Sequence, residues 1–103
     1  MENQTSQNAQ TFDPAVVALM HGIKTNEGAN GNYNATGDQG TAAGIGQWSN
    51  QVSGTPKPLG NGQIPSGFQN QAQQAGYDPN DFSPENQNKV MYAHILSDKY
   101  AGL

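Results

Sequence analysis

The sequence contains no cysteine and no arginine. Without cysteine there is no disulfide framework and no thiolate metal site, and the redox compartment is left open. Four lysines stand against eight acids, for a net charge of −4. The chain therefore lacks the clustered positive charge that phosphate clamps and base readout need. Nucleic acid and an anionic membrane surface are not expected as partners. The longest apolar run, Ala15 to Met20, is too short to span a bilayer. Residues 1–11 are polar, with neither the basic nor the apolar stretch of a signal peptide, and read as a flexible tail. Apolar residues are also scarce, at 33%, and charged residues reach only 12%, which fits neither an average globular chain nor a charged disordered one.

Neutral polar residues fill the difference: 12 Asn and 12 Gln, beside 13 Gly, in 103 residues. This length suits one domain, expected over 12–103, with a small core and long loops. It is expected to be either a minimal domain or one part of a larger assembly.

The chain divides at its capping signals. Asp13-Pro14 starts a helix, because Asp satisfies free N–H groups and Pro fits the first turn. Val16, Val17, Met20 and Ile23 follow at amphipathic spacing, and the helix should end near Asn26 to Gly28. A Gly-rich stretch comes next, read mostly as loop with a short hairpin around Tyr33 to Trp48. Residues 54–67 read as an irregular surface loop. A second helix is expected from Gly67 to Ala75, stopped by Gly76. Ser83-Pro84-Glu85 starts a third, with Val90, Met91, Ile95 and Leu96 on its buried face.

Glu27 is the first candidate for chemistry. Val16, Met20, Ile23 and Glu27 share one stripe of the first helix. A carboxylate at the end of an apolar stripe, beside the negative end of the helix dipole, favours its protonated form. A general acid needs that form to protonate a leaving oxygen near neutral pH. The plainer alternative is an ordinary exposed acid at a helix end.

The run from Gly37 to Trp48 is the second candidate. Glycines admit a ligand close to the backbone, and Asp38, Gln47 and Trp48 offer a carboxylate, an amide and an aromatic face, a set suited to sugars. The alternative is a Gly-rich turn with a core Trp. His21 and His94 read as ordinary helix residues without a third metal ligand. No phosphate loop of P-loop or dinucleotide spacing is present, and no cofactor or metal is expected.

At these residues the sequence resembles the lysozyme-like superfamily of peptidoglycan-cleaving enzymes, especially goose-type lysozymes, soluble lytic transglycosylases and the lambda-phage-type endolysin. There a helix ends in the catalytic Glu, the place Glu27 takes in Ile23-Lys24-Thr25-Asn26-Glu27-Gly28. A Gly-rich hairpin ending in Gly-x-x-Gln follows, matched by Gly44-Ile45-Gly46-Gln47 and preceded by Gly37-Asp38-x-Gly40. The stretch Ala75 to Val90 is similar to a phage endolysin segment in which an "AGL-D-F-SP-x-x-Q" run precedes a core helix. Gly28 departs from the Ser that many transglycosylases carry after the Glu. The family's further helices, with a Tyr-Asn motif, have no counterpart before Leu103.

The resemblance implies a mainly α (α+β lysozyme-like) domain, small and helical, with the Gly-rich loop or hairpin after the first helix. It implies cleavage of the β-1,4 bond between N-acetylmuramic acid and N-acetylglucosamine, with Glu27 as acid. A lytic transglycosylase needs no second carboxylate. An inverting hydrolase needs one across roughly 6.5–9.5 Å, and Asp38 is the candidate close in sequence. Tyr33, Gly46, Gln47 and Trp48 are expected to line the glycan groove. The implied partners are a peptidoglycan glycan strand and other virion proteins, docked through residues 1–11 and the Gln-rich face, and the implied setting is a phage virion or the host cell envelope. Two other readings remain: a non-catalytic glycan-binding or structural module of the same fold, and an unrelated small helical adaptor.

Overall fold

The computed structural model describes residues 13–26 and 32–101. Helix α1 spans Pro14–Asn26, α2 Ser66–Ala75 and α3 Pro84–Tyr100. Between α1 and α2 lie five two-residue strands: β1 (Thr36–Gly37), β2 (Ala42–Ala43), β3 (Trp48–Ser49), β4 (Gln51–Val52) and β5 (Thr55–Pro56). Strands β1, β2 and β3 form one antiparallel sheet, and β4 pairs with β5 in a second. The architecture is an α+β mix of three helices and short antiparallel strands.

Each helix starts where its cap dictates. The Asp13 carboxylate accepts from the Ala15 N–H at 2.9 Å and pairs with Lys99 at 2.7 Å. The Asp13 N–H donates to the Tyr92 hydroxyl at 2.8 Å. One residue thus caps α1 and ties its start to the far end of α3. Ser83 Oγ accepts from the Asn86 N–H at the start of α3, and left-handed Gly76, φ 81°, closes α2. No helix among the described residues is long and apolar enough to cross a membrane.

The sequence reading set 54–67 as irregular loop, whereas β5 falls inside it. Ser53 and Gly54, at φ 53° and 79°, form a left-handed two-residue turn that folds β5 back onto β4. Buried Asn50 then joins this hairpin to α2. Its Nδ2 donates to the Lys57 carbonyl at 3.0 Å, and its Oδ1 accepts from the Ser66 N–H at 3.2 Å.

The core gathers Val16 and Met20 of α1, Ile45 of the hairpin, Trp48, Phe68 and Ala72 of α2, and Val90, Met91 and Ile95 of α3. Phe68 stands edge-on to both Trp48 and Phe82, each at a centroid distance of 4.9 Å. Full burial of a ring such as Phe68 contributes about 2–3 kcal/mol. Gly67 lets α2 come this close, since a Cβ there would lie 2.8 Å from the Ser49 carbonyl oxygen.

One polar side chain organises the whole assembly. Gln87, fully buried on α3, accepts from the Ile45 N–H at 2.9 Å. Its amide donates to the carbonyls of Tyr33 at 3.1 Å and Phe82 at 2.8 Å. A buried amide with all these bonds made carries little desolvation cost and holds the hairpin to α3.

Candidate functional site

A cavity of about 310 Å³ opens where α1, β3, α2 and α3 meet. Ile23 of α1, Gly46, Trp48, and Met91 and Ile95 of α3 supply its apolar wall; Gln47, Ser49, Gln71 and His94 supply polar groups. Apolar walls beside converging polar groups are features of small-molecule sites.

Glu27, the expected general acid, lies outside the described residues. The helix that leads to it is described, and Ile23, one turn before it in sequence, is in the cavity wall.

Gly46, Gln47 and Trp48 are brought together at this cavity. Gly46 is tightly packed: a Cβ there would stand 3.1 Å from both Met91 and Trp48. The Gln47 amide was expected to bind sugar hydroxyls. Its N–H groups are instead spent inside the hairpin, on the carbonyls of Ala35 at 3.2 Å and Gly44 at 3.0 Å. A Cβ at Gly37 would collide with Gln47 Oε1. The Gly-x-x-Gln run is thus a self-stapled turn, with the Gln47 amide committed to the hairpin. Trp48 is 7% exposed, with its indole N–H donating to Gln71 Oε1 at 2.9 Å. It is a core residue that also walls the cavity.

Asp38 and Tyr33 lie elsewhere. Asp38 is exposed, at φ 50° in the left-handed turn before β2, and is not among the cavity-lining residues. Tyr33 donates its hydroxyl to Asn88 Oδ1 at 3.0 Å, lies 5.8 Å from the Lys24 ammonium, and likewise does not line the cavity. It braces the hairpin against α3.

Sequence reasoning missed Ser49, Gln71 and His94. Helical spacing held the signal for two of them. Gln71 follows buried Phe68 by three positions, and His94 follows buried Val90 by four. His94 Nε2 stands 3.5 Å from the Asp98 carboxylate, and its side chain is 44% exposed. Among the described residues no three His, Asp or Glu side chains are grouped to hold a metal ion.

Comparison with protein-family models, with curated proteins and with solved structures finds no match for this chain.

Proposed function

We propose that this protein is a peptidoglycan-cleaving glycosidase of lysozyme-like fold, acting as a lytic transglycosylase on the bond between N-acetylmuramic acid and N-acetylglucosamine, for local opening of a bacterial wall by a phage. The observation that carries this reading is a juxtaposition. Ile23, one turn before Glu27, shares a cavity wall with Gly46 and Gln47 of the Gly-x-x-Gln turn. Two of the three motifs behind the resemblance are 17 residues apart in sequence, from Glu27 to Gly44, and the helix before one lines the same cavity as the turn of the other.

In this reading Glu27 protonates the glycosidic oxygen as the bond to the anomeric carbon breaks. The same carboxylate then takes the proton of the muramic 6-hydroxyl as that oxygen attacks the anomeric carbon. Both steps use one carboxylate. The position of Asp38, outside the cavity lining, favours this one-carboxylate route over inverting hydrolysis, which needs a second carboxylate at the sugar.

The test is mass spectrometry of soluble fragments released from purified peptidoglycan, with wild type beside Glu27→Gln. Products of 1,6-anhydromuramic type, absent in the variant, are expected. Reducing-end muramic products would replace the transglycosylase with a hydrolase. The non-catalytic module would replace the enzyme if fragments were equal in both proteins or absent from both.

A further inference from the structure

His94 is the one ionisable side chain among the described residues lining the cavity. The rest of the cavity lining among the described residues is neutral. Helix α2 carries no ionisable residue, and neither does β3. On α1, His21 and Lys24 line a separate groove. Asp98 lies beside His94 on α3, largely in solvent, and outside the described residues Glu27 follows α1. Among the described residues the cavity thus has one position where positive charge can appear, in a chain whose net charge is −4.

The other polar groups are available to a ligand. Gln71 Oε1 is taken by the Trp48 indole, while its amide nitrogen donates to no acceptor among the described residues. Neither the Ser49 hydroxyl nor His94 Nδ1 has a hydrogen-bond partner among them. Asp98 Oδ2 stands 3.5 Å from Nε2, and a protonated imidazole donates from both ring nitrogens, so its Nδ1 can serve a ligand. The cavity, at about 310 Å³, is near the lower limit for small-molecule sites and suits a single sugar ring.

We infer that this cavity holds an amino-sugar ring bearing a free carboxylate, with His94 as the group that reads the carboxylate and Gln71 and Ser49 bonding the neutral polar groups of the ring. This deepens the glycan reading and rests on it. Within peptidoglycan the group that fits is the lactyl carboxylate of a muramyl residue whose peptide has been removed. An amide-hydrolysing reaction must then supply the preferred substrate. A charged hydrogen bond from imidazolium to carboxylate is roughly twice as strong as a neutral one, so the carboxylate form of the sugar is preferred over its amide.

Isothermal titration calorimetry on the Glu27→Gln protein, which removes cleavage, tests this. The probes are peptide-free glycan strands, the same strands with the lactyl carboxylate converted to a primary amide, and chitohexaose. Peptide-free strands are expected to bind about tenfold more tightly than the amidated strands or chitohexaose. Adding His94→Gln should abolish that preference, with far-UV circular dichroism confirming the fold. Equal binding of all three probes, or a preference that survives His94→Gln, overturns the role of His94 and leaves the glycan reading standing. Absence of binding by every probe overturns both.

Discussion

The Oε1 of Gln87 lies 2.9 Å from the backbone nitrogen of Ile45, a hydrogen bond that spans 42 residues of sequence inside the core. It joins the last helix to the turn that carries Gly46, Gln47 and Trp48. The geometry of the cavity wall therefore depends on a residue that does not line it.

Replacing Gln87 with Leu should be severely destabilising. The substitution keeps approximate volume but orphans the Ile45 N–H and the carbonyls of Tyr33 and Phe82. Buried unsatisfied groups cost about 1–3 kcal/mol each, so a loss of about 3 kcal/mol or more is expected. For a domain of this size that lowers Tm by more than about 10 °C. Thermal unfolding followed by circular dichroism measures it, and a loss below about 1 kcal/mol would mean that the three groups find other partners.

Two glycines of the hairpin should respond differently to alanine. Gly40 and Gly44 both have positive φ, 86° and 90°. A Cβ at Gly40 meets nothing within 4 Å, whereas one at Gly44 lies 2.5 Å from Phe82 and 2.9 Å from Gln87 Oε1. Gly40→Ala should cost about 1 kcal/mol, the conformational penalty alone. Gly44→Ala adds overpacking and should cost about 3 kcal/mol. Urea midpoints of the two variants decide, and equal costs would contradict the packing around Gly44.

Asp81 makes acid stability titratable. The Ser83 backbone N–H donates to its carboxylate at 2.9 Å. That bond, with help from the Ser83 side chain and the Lys89 charge, holds the Asp81 pKa below its ordinary 3.8. A carboxylate with a lowered folded-state pKa adds stability above the unfolded value and loses it as pH falls through the folded one. The loss therefore lies below about pH 3.8. Asp81→Asn keeps an acceptor for Ser83 but should flatten this part of the stability–pH curve. NMR titration of the Asp81 carboxyl carbon should give a midpoint below 3.8; a midpoint at or above it would refute the assignment.

Asp38→Asn separates one-carboxylate from two-carboxylate chemistry. Asn tolerates the left-handed backbone that Asp38 adopts at φ 50°, so the turn should survive. Release of soluble peptidoglycan fragments should stay within about threefold of wild type, because removing a working general base costs about 10²-fold or more. A loss of that larger size would bring Asp38 into the mechanism.

The sequence was most legible where structure is local. Asp13-Pro14, Ser83-Pro84 and Gly76 marked helix ends through backbone hydrogen bonds that reach only a few residues. Val16, Met20, Val90, Met91 and Ile95 showed their burial through helical period alone. Gln87 was present in the Ser-Pro-x-x-Gln run, but its role was not, because nothing local indicates that Ile45 will stand opposite.

The sequence by itself determined the order of the three helices, their main caps and which face of the first and third is apolar, since these follow from neighbours within one or two turns. Only the tertiary structure decided which faces meet. It committed the Gln47 amide to the hairpin carbonyls and set Trp48 against Phe68. It left Asp38 outside the cavity lining and brought Gln71 and His94 into the wall beside Ile23. The physical reason is that hydrogen bonding and periodicity act along the chain, whereas close packing joins residues from distant parts of it, and a cavity is defined by the second.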